Sequence, residues 1–275
     1  MAAARSNEEK IMAVFCDFEN VALGVRDARF EQFDICKVLE RLLLKGNIVV
    51  KKAYCDWDRY KEYKPVMHEA SFELIEIPHV RQSGKNSADV RMVVDALDLC
   101  YTKEHVDTFV IISGDSDFSP LVSKLRENNK TVIGVGVKNS TSDLLTGNCD
   151  EFIYYDDLAR KIKARGKPSP AKAKPRETKS AAGKESRTPE DRKQEAWDLI
   201  VETYEDLLGE RGEEEKIWGS MIKQALKRRK PGFSESAYGF RSFGALLEEA
   251  EAQGILELER DQKSGGFIIR NAHVV

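Results

Sequence analysis

The sequence predicts an α/β protein with a mostly parallel sheet covered by helices on two sides, followed by a small α+β domain. Over roughly the first 160 residues, short apolar runs rich in β-branched residues alternate with segments of helical spacing. These runs are apolar on both faces, as in the buried strands of parallel sheets. Hydrophobic residues make up 41% of the 275-residue chain, which is enough for two domains with separate cores.

The order of the elements follows from apolar patterning and from residues that begin or end helices. Strands are predicted at residues 11–16, 47–55, 72–77, 108–113, 130–137 and 152–154. Helices are predicted at residues 34–45, 58–70, 88–101, 119–128 and 141–146, with another from residue 156. Asp34 is a suitable N-cap for the first helix, and Gly46 is expected to stop it. Ser119 and Pro120 form a cap followed by proline at the first helical position.

A basic segment divides the chain. Residues 161–190 contain ten Lys and Arg against three Asp and Glu, together with four prolines. Such a segment buries too little apolar surface to offset the entropy of ordering. We therefore expect a first domain at 10–162, a flexible basic linker at 163–190 and a second domain at 191–272. The linker is either a solubilising tether or one that also contacts the nucleic-acid backbone.

The second domain is predicted to contain three helices and a β-hairpin. Apolar residues recur at near-helical spacing in 197–208, 217–226 and 240–250. Two further apolar runs, 255–258 and 267–269, flank a polar stretch with two adjacent glycines, which is typical of a hairpin. Three helices followed by a hairpin is the plan of a winged-helix domain.

Acidic residues follow the carboxyl ends of predicted strands or begin a predicted helix. Asp17 follows the first strand, Asp115 and Asp117 follow the fourth, and Asp89 lies at the start of the helix at 88–101. Ligands of open parallel sheets gather beyond the strand ends where the strand order reverses. If these ends are neighbours, the carboxylates repel one another unless protons or a cation intervene. Because Mg²⁺ and Mn²⁺ favour oxygen ligands, the pattern predicts metal-assisted phosphodiester hydrolysis.

Each acidic residue also has a purely structural interpretation. Asp17 could be a loop or capping residue, and Asp89 could be a first-turn acid that faces the helix dipole. Asp115 and Asp117 could form an Asx-turn that caps the next helix. The coincidence of acids at three predicted strand or helix ends favours a shared metal site.

Several classes of protein are disfavoured. No run approaches the ~18 apolar residues that span a bilayer, and the N-terminus lacks the apolar core of a signal peptide. The five cysteines are odd in number and contain no C-x-x-C pair, which is typical of a reducing compartment. We therefore expect a cytoplasmic protein without membrane contact. The sequence contains no P-loop motif, and its four histidines have no metal-site or catalytic-triad spacing.

The residues around the four acids form three motifs. They are DFEN at 17–20, Asp89 with VDAL at 94–97, and SGDSDF at 113–118 followed by PL at 120–121. Together, over about residues 10–160, they resemble the NYN domain, in the LabA-like branch of the PIN-like nuclease superfamily. The resemblance implies a PIN-like three-layer α/β/α fold and a ribonuclease site dependent on Mg²⁺ or Mn²⁺. It also implies catalytic and metal-binding roles for Asp17, Asp89, Asp115 and Asp117.

Two further residues are expected at this site. Asn20, which belongs to the first motif, is expected to hold Asp17 or a water by a hydrogen bond. Lys85 is expected to contact an RNA phosphate, although an exposed loop lysine is the competing interpretation. Residues 86–88 (NSA) depart from the shorter approach to the aspartate in many NYN domains. This departure leaves the role of Lys85 open but not that of Asp89.

The second domain has motifs of its own. IKQALK at 222–227, PGF at 231–233 and YGFRSF at 238–243 resemble the OST-HTH/LOTUS domain, which implies RNA binding or docking of a protein partner. Cations in such a domain can neutralise phosphates, and a tyrosine can stack on a base. The competing interpretation is a solvated helix end whose cations face the negative end of the dipole. The candidate RNA-binding residues are Lys227, Arg228, Arg229, Lys230, Tyr238 and Arg241.

Taken together, these patterns predict a metal-dependent endoribonuclease whose second domain binds RNA or a protein partner. The alternative is a catalytically weak or inactive RNA-binding regulator, in which the metal site orders loops. A Toprim-like enzyme is disfavoured because Glu19 lies two positions after Asp17, later than that fold requires. A haloacid-dehalogenase-type phosphatase needs Asp-x-Asp after the first strand, where this chain has Asp17-Phe18-Glu19.

Overall fold

The computed structural model of the chain describes residues 10–77, 87–165, 189–212, 215–262 and 264–273, without the side chains of 161–165 and 189. The chain divides into two compact units, residues 1–169 and 170–275. Most of the predicted linker, residues 166–188, lies outside the described residues. Its two ends, 163–165 and 189–190, are helical.

The first unit is built on a six-stranded sheet in the order β3-β2-β1-β4-β5-β6. Every neighbouring pair of strands is parallel. Each predicted strand is present to within one residue at either end, so the predicted parallel sheet is confirmed. The strands are β1 (Lys10–Asp17), β2 (Gly46–Cys55), β3 (Glu73–Glu76), β4 (Thr108–Ile112), β5 (Thr131–Gly136) and β6 (Glu151–Tyr154).

Helices connect these strands and cover both faces of the sheet. In the described part of the first unit they are α1 (Phe18–Asp27), α2 (Ile35–Leu43), α3 (Lys64–Glu69), α4 (Ser87–Thr102), α5 (Ser119–Glu127), α6 (Asp143–Asn148) and α7 (Tyr155–Arg165). Asp34 caps α2 as predicted, because its side chain accepts a 3.0 Å hydrogen bond from the backbone N–H of Cys36. Gly46 does not stop α2 but begins β2, where a Cβ would lie 2.1 Å from the carbonyl oxygen of Lys10.

Two helices differ from the prediction. No helix is predicted directly after the first strand, yet α1 begins at Phe18. Phe18, Val21 and Val25 recur at helical spacing, and all three are buried. The helix predicted at 58–70 is shorter, because a 3₁₀ turn at Lys61–Tyr63 precedes α3.

β1 lies inside the sheet and contributes to two cores. Met12, Val14 and Cys16 face one core, whereas Ala13 and Phe15 face the other. The first core also holds apolar residues of α1, α2, α3 and α7, and the second those of α4, α5 and α6. Because successive side chains of a strand point to opposite faces, this division produces the predicted three-layer α/β/α arrangement.

The second unit contains a small antiparallel sheet and three helices within the described residues. Its elements are α8 (Pro189–Arg211), β7 (Ile217–Trp218), α9 (Gly219–Arg229), α10 (Phe243–Ala252), β8 (Leu256–Arg260) and β9 (Phe267–Ala272). The predicted hairpin is formed by β8 and β9. The prediction that residues 217–218 are helical is wrong, because Ile217 and Trp218 pair with β9 as a third strand. No helix among the described residues is both long and apolar enough to cross a bilayer.

Candidate metal centre

The strand order of the large sheet reverses at β1, which lies between β2 and β4. Cys16 of β1 pairs with Ile112 of β4, so the residues that follow these two positions lie side by side. Asp17 ends β1, and Ser113 directly follows β4. The Ser113 hydroxyl donates a 2.9 Å hydrogen bond to Oδ2 of Asp17. The candidate site therefore begins at the place where ligands of open parallel sheets usually bind.

Asp17 and Asn20 link the start of α1 to the loop after β4. Asp17 is the N-cap of α1, and its Oδ1 accepts a 3.4 Å hydrogen bond from the backbone N–H of Asn20. The Asn20 side chain does not bond to Asp17 but accepts a 2.9 Å hydrogen bond from the backbone N–H of Gly114. Asn20 thus fixes the β4 loop through its side chain and Asp17 through its backbone.

The loop after β4 holds the next two acids. Oδ1 of Asp115 accepts a 2.9 Å hydrogen bond from the backbone N–H of Asp117, so Asp115 caps the short 3₁₀ turn that follows. Asp115 is half-buried and Asp117 is exposed. Gly114 packs against the loop after β5, and a Cβ on it would lie 2.3 Å from the carbonyl oxygen of Ser140. Only glycine fits there, which explains its place between Ser113 and Asp115.

The fourth acid, Asp89, lies in the first turn of α4 and is half-buried. Burial, followed by the charges of Asp115, Asp117 and Glu19, raises its pKa to about 6. Asp89 therefore interacts electrostatically with Asp115 and Asp117, and in turn with Asp17.

Asp17 experiences the same crowding in a more buried position, since it is only 7% exposed. Burial raises its pKa to about 7; Asp89 and Asp115 add to this effect, while hydrogen bonds from Ser113 and Asn20 oppose it. Near neutral pH, the site therefore holds a carboxyl group that is divided between its protonated and ionised forms. Positive charge placed nearby would favour the ionised form.

These acids interact electrostatically, but their side chains do not form a preassembled metal-binding site. Among the side chains that the structure describes, no group of three or more His, Cys, Asp or Glu is arranged to hold an ion. All the candidate donors are carboxylate or amide oxygens, the ligand type that hard divalent ions favour. Mg²⁺ commonly keeps several waters and uses only one or two carboxylates. The donor set therefore fits a hydrated divalent ion held partly through water.

Two residues near the centre were missed as site residues. Ser113 connects Asp17 to the β4 loop, because its hydroxyl also accepts a 3.2 Å hydrogen bond from the backbone N–H of Asp115. Its signal in the sequence was its position as the first polar residue after the apolar run of β4. Glu19 adds charge near Asp89 and forms a 3.2 Å ion pair with Arg59. Lys85 lies outside the described residues.

The predicted RNA-binding residues of the second unit cluster at the end of α9 and in the following loop. Lys227, Lys230 and Arg241 are exposed. Arg229 is different, because it is only 12% exposed and pairs with Asp206 of α8 at 3.1 Å.

Tyr238, another of the predicted RNA-binding residues, is half-buried. Its ring stacks on that of Phe233 with centroids 5.3 Å apart. One face of the tyrosine is therefore engaged within the unit. Any base that stacks on Tyr238 must use the other face.

A parallel α/β/α sheet with acids at its reversal point is the architecture of the PIN-like nucleases. Residues 11–158 of this chain match the family model described as the NYN domain, and the chain therefore belongs to the NYN domain family. The family inferred from the acidic motifs is thus confirmed. The LabA-like subtype and the OST-HTH/LOTUS assignment of the second unit stay predictions.

Curated relatives match about half of this chain. The meiosis regulator and mRNA stability factor 1 of Xenopus tropicalis is 27% identical over 154 residues, which is 56% of this chain and 9% of the frog protein. The protein of that name from Bos taurus is 25% identical over the same shares. An uncharacterized protein of Methanocaldococcus jannaschii is 28% identical over 120 residues, or 44% of this chain and 47% of that protein.

One solved structure is similar to about half of this chain. It is the crystal structure of a protein of unknown function from Vibrio parahaemolyticus, with 27% sequence identity and a TM-score of 0.49. The match covers 56% of this chain and 98% of that protein chain. This chain spans less than half the length of the curated relatives it matches.

Proposed function

We propose that the first unit is a metal-dependent endoribonuclease that hydrolyses RNA phosphodiester bonds. The observation that carries the proposal is the meeting of Asp17, Asp89, Asp115 and Asp117 at the reversal point of a NYN-domain sheet. The printed name of the frog and bovine relatives, an mRNA stability factor, favours RNA as the substrate class. The free state of all five cysteines supports the cytoplasmic location expected from the sequence.

In this proposal the four aspartates hold Mg²⁺ or Mn²⁺ directly or through water. A divalent ion held there would supply an activated water and would offset charge on the phosphate. Ser113 and the start of α1 fix Asp17, while Asp115 is fixed by capping the turn that carries Asp117. The side chains are thereby oriented before substrate arrives, which reduces the cost of positioning a phosphodiester.

The second unit, in the same proposal, is an OST-HTH/LOTUS domain that binds RNA or docks a protein partner. Its candidate basic surface consists of Lys227, Arg228, Lys230 and Arg241, with Tyr238 beside it. We leave Arg229 out of this surface because its guanidinium pairs with acids of α8. If the surface contacts phosphates, replacing Lys227, Lys230 and Arg241 with alanine should weaken the salt dependence of RNA binding. The slope of log affinity against log salt concentration should fall in magnitude by about one for each lost contact.

The alternative is an RNA-binding regulator without useful catalysis. One observation favours it, namely that the described side chains do not form a ready-made group of three metal ligands. In that case, the acids would order the loops around β1 and β4 without supporting turnover. This alternative predicts RNA binding without product at any concentration of Mg²⁺ or Mn²⁺.

The test is cleavage of end-labelled single-stranded RNA by the full chain, with Mg²⁺, with Mn²⁺ and with EDTA. Asp115→Asn should lower the rate by more than about 100-fold, because even partners in the outer shell of metal sites contribute 10–100-fold. The variant should still fold, since an asparagine oxygen can accept the bond from Asp117. Asp98→Asn is the matched control, because Asp98 is an exposed acid of α4 outside the centre. Equal cleavage by Asp115→Asn and the wild type would refute the assignment.

A further inference from the structure

Beside the acidic centre lies a groove with aliphatic walls. Its volume is about 700 Å³, within the range of small-molecule sites. Val90 and Val94 of α4 and Leu144 of α6 line it and are 61%, 55% and 60% exposed. Val93 and Pro120 complete the apolar lining. We call these five residues the aliphatic groove.

The groove is continuous with the centre, because Asp89 and Asp117 also line it. A molecule in the groove would therefore lie beside the phosphodiester that the centre acts on. Among the described residues that line it, none is a lysine or an arginine. Carboxylates at its end and no cation along its walls make the groove unfavourable for phosphate. An uncharged, flat and largely apolar group suits it better.

One polar group in the lining has a hydrogen bond to offer. Ser119 begins α5 and is only 6% exposed, and its Oγ is buried without a hydrogen-bond partner among the described residues. A buried hydroxyl without a partner destabilises the folded state, so an unused group in the wall needs an explanation. Ser119 itself lines the groove. Ser116 and Ser123 supply two further hydroxyls to the lining.

We propose that the aliphatic groove binds one nucleobase of the RNA, next to the phosphodiester that is cut, and that Ser119 hydrogen-bonds to that base. The inference rests on the proposed function for its substrate and adds to it a base-binding subsite. The valines, leucine and proline provide the apolar surface on which the base packs. The acids at the groove's end keep the phosphates out of it and toward the metal.

The size of the groove favours a base over a protein. Ten described residues line it, whereas a stable protein–protein interface uses about 20–30 residues on each side. A second copy of this chain or a protein partner would need a larger apolar face. A single base with its sugar needs no more than the groove offers.

The experiment is methyl NMR of the full chain with labelled valine and leucine in the presence of Mg²⁺. The probes are AMP, GMP, CMP and UMP, with ribose 5-phosphate as the control that lacks a base. We expect the methyl signals of Val90, Val94 and Leu144 to shift with at least one nucleotide and not with ribose 5-phosphate. The methyl groups of Val49, which is 51% exposed on β2, should stay unchanged.

Two variants test the contacts. Ser119→Ala should weaken binding of the preferred nucleotide by about twofold to tenfold, the range of a single hydrogen bond. Val94→Asp should abolish the shifts, whereas Val49→Asp, a matched change at another exposed valine, should preserve them. Unchanged affinity in both Ser119→Ala and Val94→Asp would overturn the proposal.

Three other results would also overturn it. They are methyl signals that respond to no nucleotide, signals that respond equally to ribose 5-phosphate, and signals that shift when the protein alone is concentrated. The last result would identify the groove as an interface between copies. Nucleotide-specific shifts without RNA cleavage would refute the nuclease proposal but keep the base site. RNA cleavage with unresponsive methyl groups would refute the base site but keep the nuclease proposal.

Discussion

Replacing Asp17 with asparagine tests how strongly this buried acid controls the stability of the first unit. In the folded protein, its pKa is raised from 3.8 to about 7, chiefly by burial. Because the folded state favours the protonated form, its contribution to stability is complete below about pH 4 and is lost as the pH rises through 7. Each pKa unit is worth about 1.4 kcal/mol, so ionising Asp17 costs the folded state about 4 kcal/mol by pH 8.

Asparagine removes this cost because it is neutral at every pH. Like the protonated carboxyl, its side chain has one carbonyl oxygen that accepts and a second group that donates, so it can bond to Ser113 and to the N–H of Asn20 in the same way. Without metal, we therefore expect Asp17→Asn to be about 4 kcal/mol more stable than the wild type at pH 8. At pH 4, the two should be about equally stable, because the wild-type carboxyl is then protonated.

Urea unfolding in EDTA at a series of pH values measures this difference. Trp57 is a suitable reporter because it is buried against Phe18, with ring centroids 5.0 Å apart, at the start of α1. Trp197 and Trp218 belong to the second unit, so both should be replaced by phenylalanine to make the signal specific. Asp98→Asn is the control that should keep the pH dependence of the wild type.

The reasoning would be refuted if the wild type and Asp17→Asn lost stability in parallel between pH 4 and pH 8. Mg²⁺ provides a second check. At pH 8 it should raise the free energy of unfolding of the wild type, because a ligand that binds only the folded state stabilises it. The same addition should have much less effect on Asp17→Asn.

Three further outcomes are expected from the structure. In thermal unfolding, Gly114→Ala should destabilise the first unit by about 1–3 kcal/mol, the range for overpacking, and it should also slow RNA cleavage. Gly147→Ala is the control, because a Cβ at Gly147 of α6 meets nothing within 4 Å. It should preserve RNA cleavage and should not destabilise the unit. The rate of RNA cleavage should rise with pH as Asp17 and Asp89 ionise near pH 7 and 6. A higher Mg²⁺ concentration should move the measured pH–rate profile to lower pH, because the ion competes with protons for the carboxylates. Arg229→Ala should lower the thermal stability of the second unit by about 1–3 kcal/mol through loss of its bonds to α8, while RNA affinity measured below the transition stays unchanged.

The parallel sheet was predictable because β1, β4 and β5 are nearly uninterrupted apolar runs, as is typical of strands covered on both faces. The cluster of acids where β1 meets β4 could also be expected, since Asp17 follows the first predicted strand and Asp115 and Asp117 follow the fourth. α1 was missed although Phe18, Val21 and Val25 have helical spacing. No helix is predicted over the acidic motif at 17–20, because a strand that leads into a helix without a connecting residue leaves no turn signal.

That the four acids lie near one another was predictable from the sequence, whereas their separations were not. These separations depend on the register of β1 with β4 and on the path of the β4 loop. The backbone of Gly114 and the Ser113 hydroxyl fix that path. Neither the register nor the loop path can be read from the pattern of residue types. The inward turn of Arg229 was unpredictable for a similar reason, since its acidic partners come from α8, more than 20 positions earlier in the chain.

Asp17 caps α1 and is also an acid of the proposed metal centre, and these two roles would restrict how the chain could lose the proposed activity during evolution. Replacing Asp17 with an aliphatic residue would also remove the side-chain hydrogen bond that caps the first turn of α1. A descendant that abandons chemistry but keeps its shape should therefore carry asparagine, serine or threonine at position 17, the residues that still accept a hydrogen bond there. A silent paralogue would then differ from an active one at this position by the loss of a single charge.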